Sequence, residues 1–214
     1  MILAIDYGES KCGLALGERL ATKIWTVNTK QVFSEISKLK EIDFFVVGLP
    51  LSMSGRYSQQ TFMAIQFAEK LHSKLKREVY MVDERLSSAV FKERKNVDQL
   101  SAAEILDRFL SSKTNSYKIR SPVLLSDEQL AKIADVKGNV LVADLSDVRV
   151  LKNRNWVVFQ RDPYYAYLFY KRGCHVERDL KKLENFAPFD IIIAGDKCEE
   201  FKYLLSSTGR IMCL

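Results

Sequence analysis

The 214-residue chain has few of the residues that build metal clusters or disulfide scaffolds. Its four cysteines, Cys12, Cys174, Cys198 and Cys213, include no CxxC pair, and its only histidines are His72 and His175. A Cys/His zinc site and a disulfide framework are therefore not indicated, and reduced thiols are expected. No apolar run approaches the roughly 18 residues that cross a bilayer. The opening MILAIDYGES has no basic n-region and meets Asp6 after five residues, so it reads as a strand and not a signal peptide. A cytoplasmic protein without membrane partners is expected. Repeats and low-complexity tracts are also missing. With 47% hydrophobic and 28% charged residues, disorder, coiled coil and collagen fall away as well.

What is present is a modest excess of positive charge, +6 with a pI near 9.0. Residues 1–120 hold 19 basic and 14 acidic side chains, whereas residues 121–214 hold 14 and 13. Net charge speaks to partners and not to fold. A polyanion, if one binds, is expected mostly on the first half.

Patterning predicts strands at 2–6, 12–16, 22–27, 43–48 and 78–83, and helices at 31–40, 58–76 and 98–111. The order is βββαβαβα, an α/β domain over residues 1–118. A linker with polar turn formers and Pro122 follows, and then a helix opening at Ser126 with Gln129 at capping-box spacing, ending at Gly138. Residues 119–138 form this linker and helix. Residues 139–214 read as a smaller, Rossmann-like α/β domain with strands at 140–144, 155–160, 174–177, 190–194 and 210–213. Its helices are expected at 163–172, where Asp162-Pro163 supplies a cap and an N1 proline, and at 197–206.

Three acids stand out by position. Asp6 ends the first strand, Glu84 lies just past the strand at 78–83, and Asp98 starts a helix. Strands one and four are expected to be parallel neighbours, with carboxyl ends at one edge that bring Asp6 close to Glu84. Three converging carboxylates repel each other unless cations sit between them, and oxygen ligands suit Mg²⁺. Two such ions about 4 Å apart support phosphodiester cleavage. Taken singly, Asp98 is an N-cap, Glu84 a surface ion-pair partner of Arg85, and Asp6 a turn cap. Only their joint placement points to a site. Asp6-Tyr7-Gly8 with Gly13 also resembles the phosphate loop of sugar kinases and actin-like ATPases, but the second half carries no matching DxG hairpin.

Four segments together resemble the YqgF/RuvX family of Holliday-junction resolvases and pre-16S ribosomal RNA processing nucleases. They are Ile5-Asp6-Tyr7-Gly8 through Gly13-Leu14-Ala15-Leu16, and Val47-Gly48-Leu49-Pro50-Leu51 with Met53 and Gly55. Val82-Asp83-Glu84-Arg85-Leu86-Ser87 follows, and then Val97-Asp98-Gln99-Leu100-Ser101-Ala102 with Ile105-Leu106. The resemblance covers residues 1–112. It implies a ribonuclease H-like fold, Asp6, Glu84 and Asp98 as catalytic metal ligands, Mg²⁺ or Mn²⁺ as cofactor, and structured DNA or precursor ribosomal RNA as substrate. A junction substrate calls for two active sites, which a homodimer would supply. The sequence departs from the family at Ser10-Lys11-Cys12, Glu18, Ser52 and Ser54. It also has only 13 residues between Glu84 and Asp98, where Ala89–Asn96 replaces a longer basic stretch.

Lys11, Arg56, Arg85, Lys92, Arg94 and Lys95 are the cations expected near the carboxylates, where they would contact phosphates without reading sequence. In the second half, the aromatic run Pro163–Tyr170 reads as a buried helix before it reads as a base-stacking one. Asp144, Asp147, Asp162 and Asp196 fall at strand ends with no glycine-rich phosphate loop. The first expectation is thus a metal-dependent nuclease. The alternative is a nucleic-acid or ribosome-assembly binding protein without turnover.

Overall fold

The computed structural model describes residues 1–85, 97–113, 116–195 and 197–214, with the side chains of 97–100 excepted. The chain divides into two compact units, one of Met1–Met53 with Ser58–Ile119, the other of Ser54–Tyr57 with Arg120–Leu214.

In the first unit, three strands form a meander: β1 (Ile2–Tyr7), β2 (Lys11–Gly17) and β3 (Ala21–Asn28). Neighbouring pairs are antiparallel, β1 with β2 and β2 with β3. The short α1 (Val32–Ser37) leads to β4 (Phe44–Leu49), and α2 (Gln59–Leu75) leads to β5 (Glu78–Asp83). α3 (Val97–Ser111) and β6 (Ser116–Lys118) complete the unit. The sheet order is β3-β2-β1-β4-β5-β6. β1, β4 and β5 are parallel, and β6 returns antiparallel. Strands one and four are therefore parallel neighbours, and β5, which leads to Glu84, lies one strand further out.

Continuous apolar runs such as ILAI in β1 belong to a sheet covered on both faces. Ile2 and Ala4 join Ala15, Val46 and Val82 under Ala102, Ile105, Leu106 and Phe109 of α3. On α2, the buried positions Phe62, Ile65, Phe67, Ala68 and Leu71 follow helical spacing, and the Phe67 ring stacks on Tyr7 with centroids 4.7 Å apart. Ser58 starts α2 through a reciprocal cap, in which Thr61 N–H donates to Ser58 Oγ at 3.1 Å and Ser58 N–H donates to Thr61 Oγ1 at 3.0 Å. The fully buried Thr61 hydroxyl also donates to the Pro50 carbonyl, tying the loop after β4 to the helix.

The second unit is a five-stranded, all-parallel sheet of order β11-β10-β7-β8-β9. The strands are β7 (Val140–Ala143), β8 (Val157–Phe159), β9 (His175–Glu177), β10 (Phe189–Ala194) and β11 (Leu205–Cys213). Along β7 the side chains alternate. Val140 and Val142 enter one core with Trp156 and Phe169, while Leu141 and Ala143 enter the other with Phe159, Phe189 and Phe201. α4 (Asp127–Lys132) opens with the expected Ser126–Gln129 capping box. α5 (Pro163–Tyr170) opens with Asp162 as cap and Pro163 at its first turn. Its residues Tyr165, Tyr167 and Phe169 are buried, and Tyr170 is exposed.

The structure differs from the sequence reading in five places. β6 adds a strand after the last expected helix of the first domain, because Tyr80, Met81 and Val82 of β5 offer it an edge. α4 stops at Lys132, and Ile133 and Val136 turn into the core. The last expected helix is a 3₁₀ segment, Cys198–Leu204. β11 starts at Leu205, five residues earlier than expected. Lastly, Cys198 and Cys213 form a disulfide where reduced thiols were expected. Cys213 is level with Ala194 across the β10/β11 pair, which brings it beside the segment that follows β10. Among the described residues no helix is long and apolar enough to cross a membrane.

Thr61→Val keeps the shape of the side chain but strips the Pro50 carbonyl and the Ser58 amide of a buried partner. Urea unfolding should show a loss of about 1–3 kcal/mol. Phe45→Ala, which opens a cavity in the first core, should cost about 3–5 kcal/mol.

Candidate active site

The parallel set β1-β4-β5 ends at one edge. Asp6, near the end of β1, faces Gly13 across the β1/β2 pair. The hairpin beyond it is fixed by hydrogen bonds. Gly8 N–H donates to Lys11 O at 3.1 Å. The Thr29 hydroxyl donates to Gly8 O at 2.7 Å. A Cβ on Gly8 would lie 2.6 Å from Lys11 O, so glycine is needed for the turn. Lys11 itself is exposed at the start of β2.

Glu84 follows β5, and its backbone N–H donates to Leu49 O of β4 at 3.3 Å. Its carboxylate folds back over β4. An ideal Cβ on Gly48 would stand 1.8 Å from Glu84 Oε1 and 2.6 Å from Ile105 Cδ1. Gly48 pairs with Val82 on β5, and Val47 pairs with Ile5 on β1. The missing side chain at Gly48 thus clears the strip of β4 that separates Glu84 from Asp6.

Electrostatics register this approach. Burial, followed by the negative charge of Asp6, pushes the Glu84 carboxyl up to about 8; Arg108 opposes the shift, while Asp83 and Glu104 add to it. A carboxylate so placed is satisfied by a proton or by a cation. The donor set is hard oxygen, which suits Mg²⁺ or Mn²⁺.

A recess of about 110 Å³ beside Glu84 is lined by Ser101, Glu104, Ile105 and Arg108 of α3. Arg108 donates to the Asp83 carbonyl at 3.1 Å and to Glu104 Oε1 at 2.8 Å. Neither Glu104 nor Arg108 was singled out in the sequence. Their four-residue spacing is the available signal, and it resembles any helix surface pair. Asp107, also on α3, is exposed.

The other expected residues divide three ways. Asp98 lies in the first turn of α3, but its side chain is outside the described residues. Lys92, Arg94 and Lys95 are outside them altogether. Arg85 does not pair with Glu84; it grips Asp83, with Nη2 at 2.6 Å and Nε at 2.9 Å from Oδ2. Arg56, expected beside the carboxylates, belongs to the second unit, where it pairs with the buried Glu177 at 3.2 Å. Among the described residues no three His, Cys, Asp or Glu side chains are grouped to hold a metal ion.

In the second unit, Asp144 binds Arg161, which also reaches Glu200 at 2.6 Å. Asp162 caps α5 and lies 3.6 Å from Arg120. Asp147 accepts from Arg149 at 2.7 Å. Asp196 is outside the described residues.

A mixed sheet with Asp6 and Glu84 at the ends of its parallel strands defines an α/β protein with an acidic cleft at one sheet edge. Residues 1–112 match the RuvX family, described as Holliday junction resolvase. A Thermotoga maritima protein named "Putative pre-16S rRNA nuclease" is 38% identical over all of this chain and 94% of its own length. Proteins of the same name from Alcanivorax borkumensis and Clostridium novyi are 37% and 33% identical. Each covers 52% of this chain and nearly all of its own, 96% and 98%. The chain belongs to the RuvX family. That family is ribonuclease H-like, in keeping with the order of the first sheet.

With divalent ions chelated, Glu84 should make stability fall with pH. Its folded pKa lies above the unfolded value near 4.3, so the folded state holds the proton longer and loses its advantage as pH rises from about 4.5 through 8. Thermal unfolding of Glu84→Gln should match the native protein at pH 4.5 and exceed it by about 2–4 kcal/mol at pH 8.

Proposed function

We propose that the first unit is a metal-dependent nuclease that hydrolyses phosphodiester bonds in structured nucleic acid, either Holliday junction DNA or precursor ribosomal RNA. The observation that carries this reading is the approach of Glu84 to Asp6 over Gly48, with the Glu84 carboxyl pushed up to about 8. Membership of the RuvX family supports it.

Asp6, Glu84 and Asp98 are the residues that would hold Mg²⁺ or Mn²⁺. Two bound ions would lower the pKa of an attacking water and stabilise charge on the leaving oxygen. The chain's own contribution is placement. β1 and its tied hairpin fix Asp6, and Gly48 admits the Glu84 carboxylate. Arg108 spans the Asp83 carbonyl and Glu104, which holds the end of β5 against α3. Lys11 is exposed on the turn after Asp6 and is suited to a phosphate oxygen. Lys92, Arg94 and Lys95 would add salt-sensitive contacts. Arg85, held by Asp83, serves orientation more than contact. A homodimer would present two sites to a junction.

Cleavage of a four-way junction and of precursor 16S ribosomal RNA, followed with Mg²⁺ or Mn²⁺, tests the reading. Asp6→Asn should lower the rate at least about 100-fold, by removal of a charge aimed at the metal. An unchanged rate sinks the proposal. Gly48→Ala removes no charged group, yet its Cβ claims the space of Glu84 Oε1. It should lower cleavage by a similar factor while substrate binding in chelator is retained.

A further inference from the structure

The second unit has a basic pocket lined by none of the candidate site residues named from the sequence. It lies at the amino ends of β8 and β9, between the loop that enters β8 and the turn that follows α5. Its volume is about 210 Å³. Three cations line it: Lys152 and Arg154 from the loop, and Arg172 from the turn.

These cations differ from their neighbours in what they touch. Arg149 is neutralised by Asp147, Arg161 by Asp144 and Glu200, and Arg56 by Glu177. Lys152, Arg154 and Arg172 have no carboxylate within ion-pair distance among the described residues, and all three are exposed. Like charges gathered around one concavity repel each other unless they share an anion. Two of the three are guanidinium groups, whose planar forks match phosphate oxygens.

The pocket is built on ordered backbone. Asn155 N–H donates to Asn153 Oδ1 at 3.0 Å, and Trp156 N–H donates to Asn153 O at 3.3 Å. The Trp156 indole is buried in the core beneath. Gly173 takes φ +81°, and a Cβ there would meet Arg154 Cδ at 3.8 Å, so the arginine stem lies along the turn. Val148, Leu151 and the buried Cys174 provide an apolar wall.

We propose that this pocket binds a backbone phosphate of the nucleic-acid strand, with the apolar wall against its sugar. The volume exceeds one phosphate but falls short of the roughly 300 Å³ at which pockets for whole cofactors begin. The identity of the strand rests on the nuclease reading above. The phosphate chemistry does not. Relatives such as those from Alcanivorax and Clostridium match nearly whole over about half of this chain, so a substrate contact in the second unit would be additional to whatever those shorter proteins use.

The test uses the full chain in EDTA, with a fluorescein-labelled precursor 16S RNA hairpin read by anisotropy across a salt series. The triple variant K152A/R154A/R172A should bind about 10- to 100-fold more weakly, with the salt slope reduced by about 2–3. Its melting temperature should be unchanged. R154K/R172K should retain the slope and lose less than tenfold in affinity, which distinguishes lost charge from lost structure. Unchanged RNA affinity and slope in the triple variant overturn the proposal. So does a pocket that binds pyrophosphate in the native chain, and loses it in the triple variant, while RNA binding stays the same. That result marks a small-anion site. Cleavage is scored separately. A chain that cuts no substrate, yet loses RNA binding in the triple variant, refutes the nuclease reading and leaves this one standing.

Discussion

The burial of the Glu84 carboxyl within the field of Asp6 is the constraint on which the candidate site of the first unit depends. Two acids on strands separated by β4 come within each other's field because β4 has no side chain at Gly48. Three sets of contacts restrain the elements that carry them. The hairpin after Asp6 is closed by Gly8, Lys11 and Thr29. The end of β5 is tied to β4 through Leu49 O and to α3 through Arg108. Asp83, which adds to the charge felt by Glu84, is held by Arg85. An arrangement that gathers negative charge and then fixes its surroundings is unfavourable while both carboxyls are ionised.

The legible part of the fold was the buried part. ILAI, FFVV and VLVA are unbroken apolar runs, and such runs are strands of sheets covered on both faces. Capping chemistry at Ser58, Ser126 and Asp162 marks helix starts within a residue. What escaped reading depended on partners distant in sequence. Ser116–Lys118 is too short and polar to announce a strand, and it becomes one because the edge of β5 is open and Lys118 meets Glu78. Cys198 and Cys213 are brought together by the parallel register of β10 and β11, which no spacing rule encodes.

The site shows the same division. Asp6, Glu84 and Gly48 lie within readable motifs. Arg108 and Glu104 do not, since an i,i+4 pair on a helix carries no mark of the carboxylate beside it. Isolated cations are the residues whose surroundings the sequence conveys least. Arg56 sits in the GLPL segment and looks like a phosphate contact, yet it balances a buried glutamate. Lys152 and Arg154 lie in the loop before β8 and Arg172 in the turn after α5, and they are left with no counter-charge within ion-pair distance among the described residues. Charge count places neither; only pairing does.

The chain crosses between its two units three times and not once, because Ser54–Tyr57 is counted with the second. Arg56 meets Glu177 there, and the Tyr57 hydroxyl donates to Gln160 O at 2.9 Å. These four residues lie between β4, which carries Gly48, and α2, whose Ser58 cap follows directly. Modularity in this protein is therefore incomplete. A cut after Ile119 would not release a finished domain. It would leave a loop whose anchors have been discarded, next to the strand that spaces the two acids.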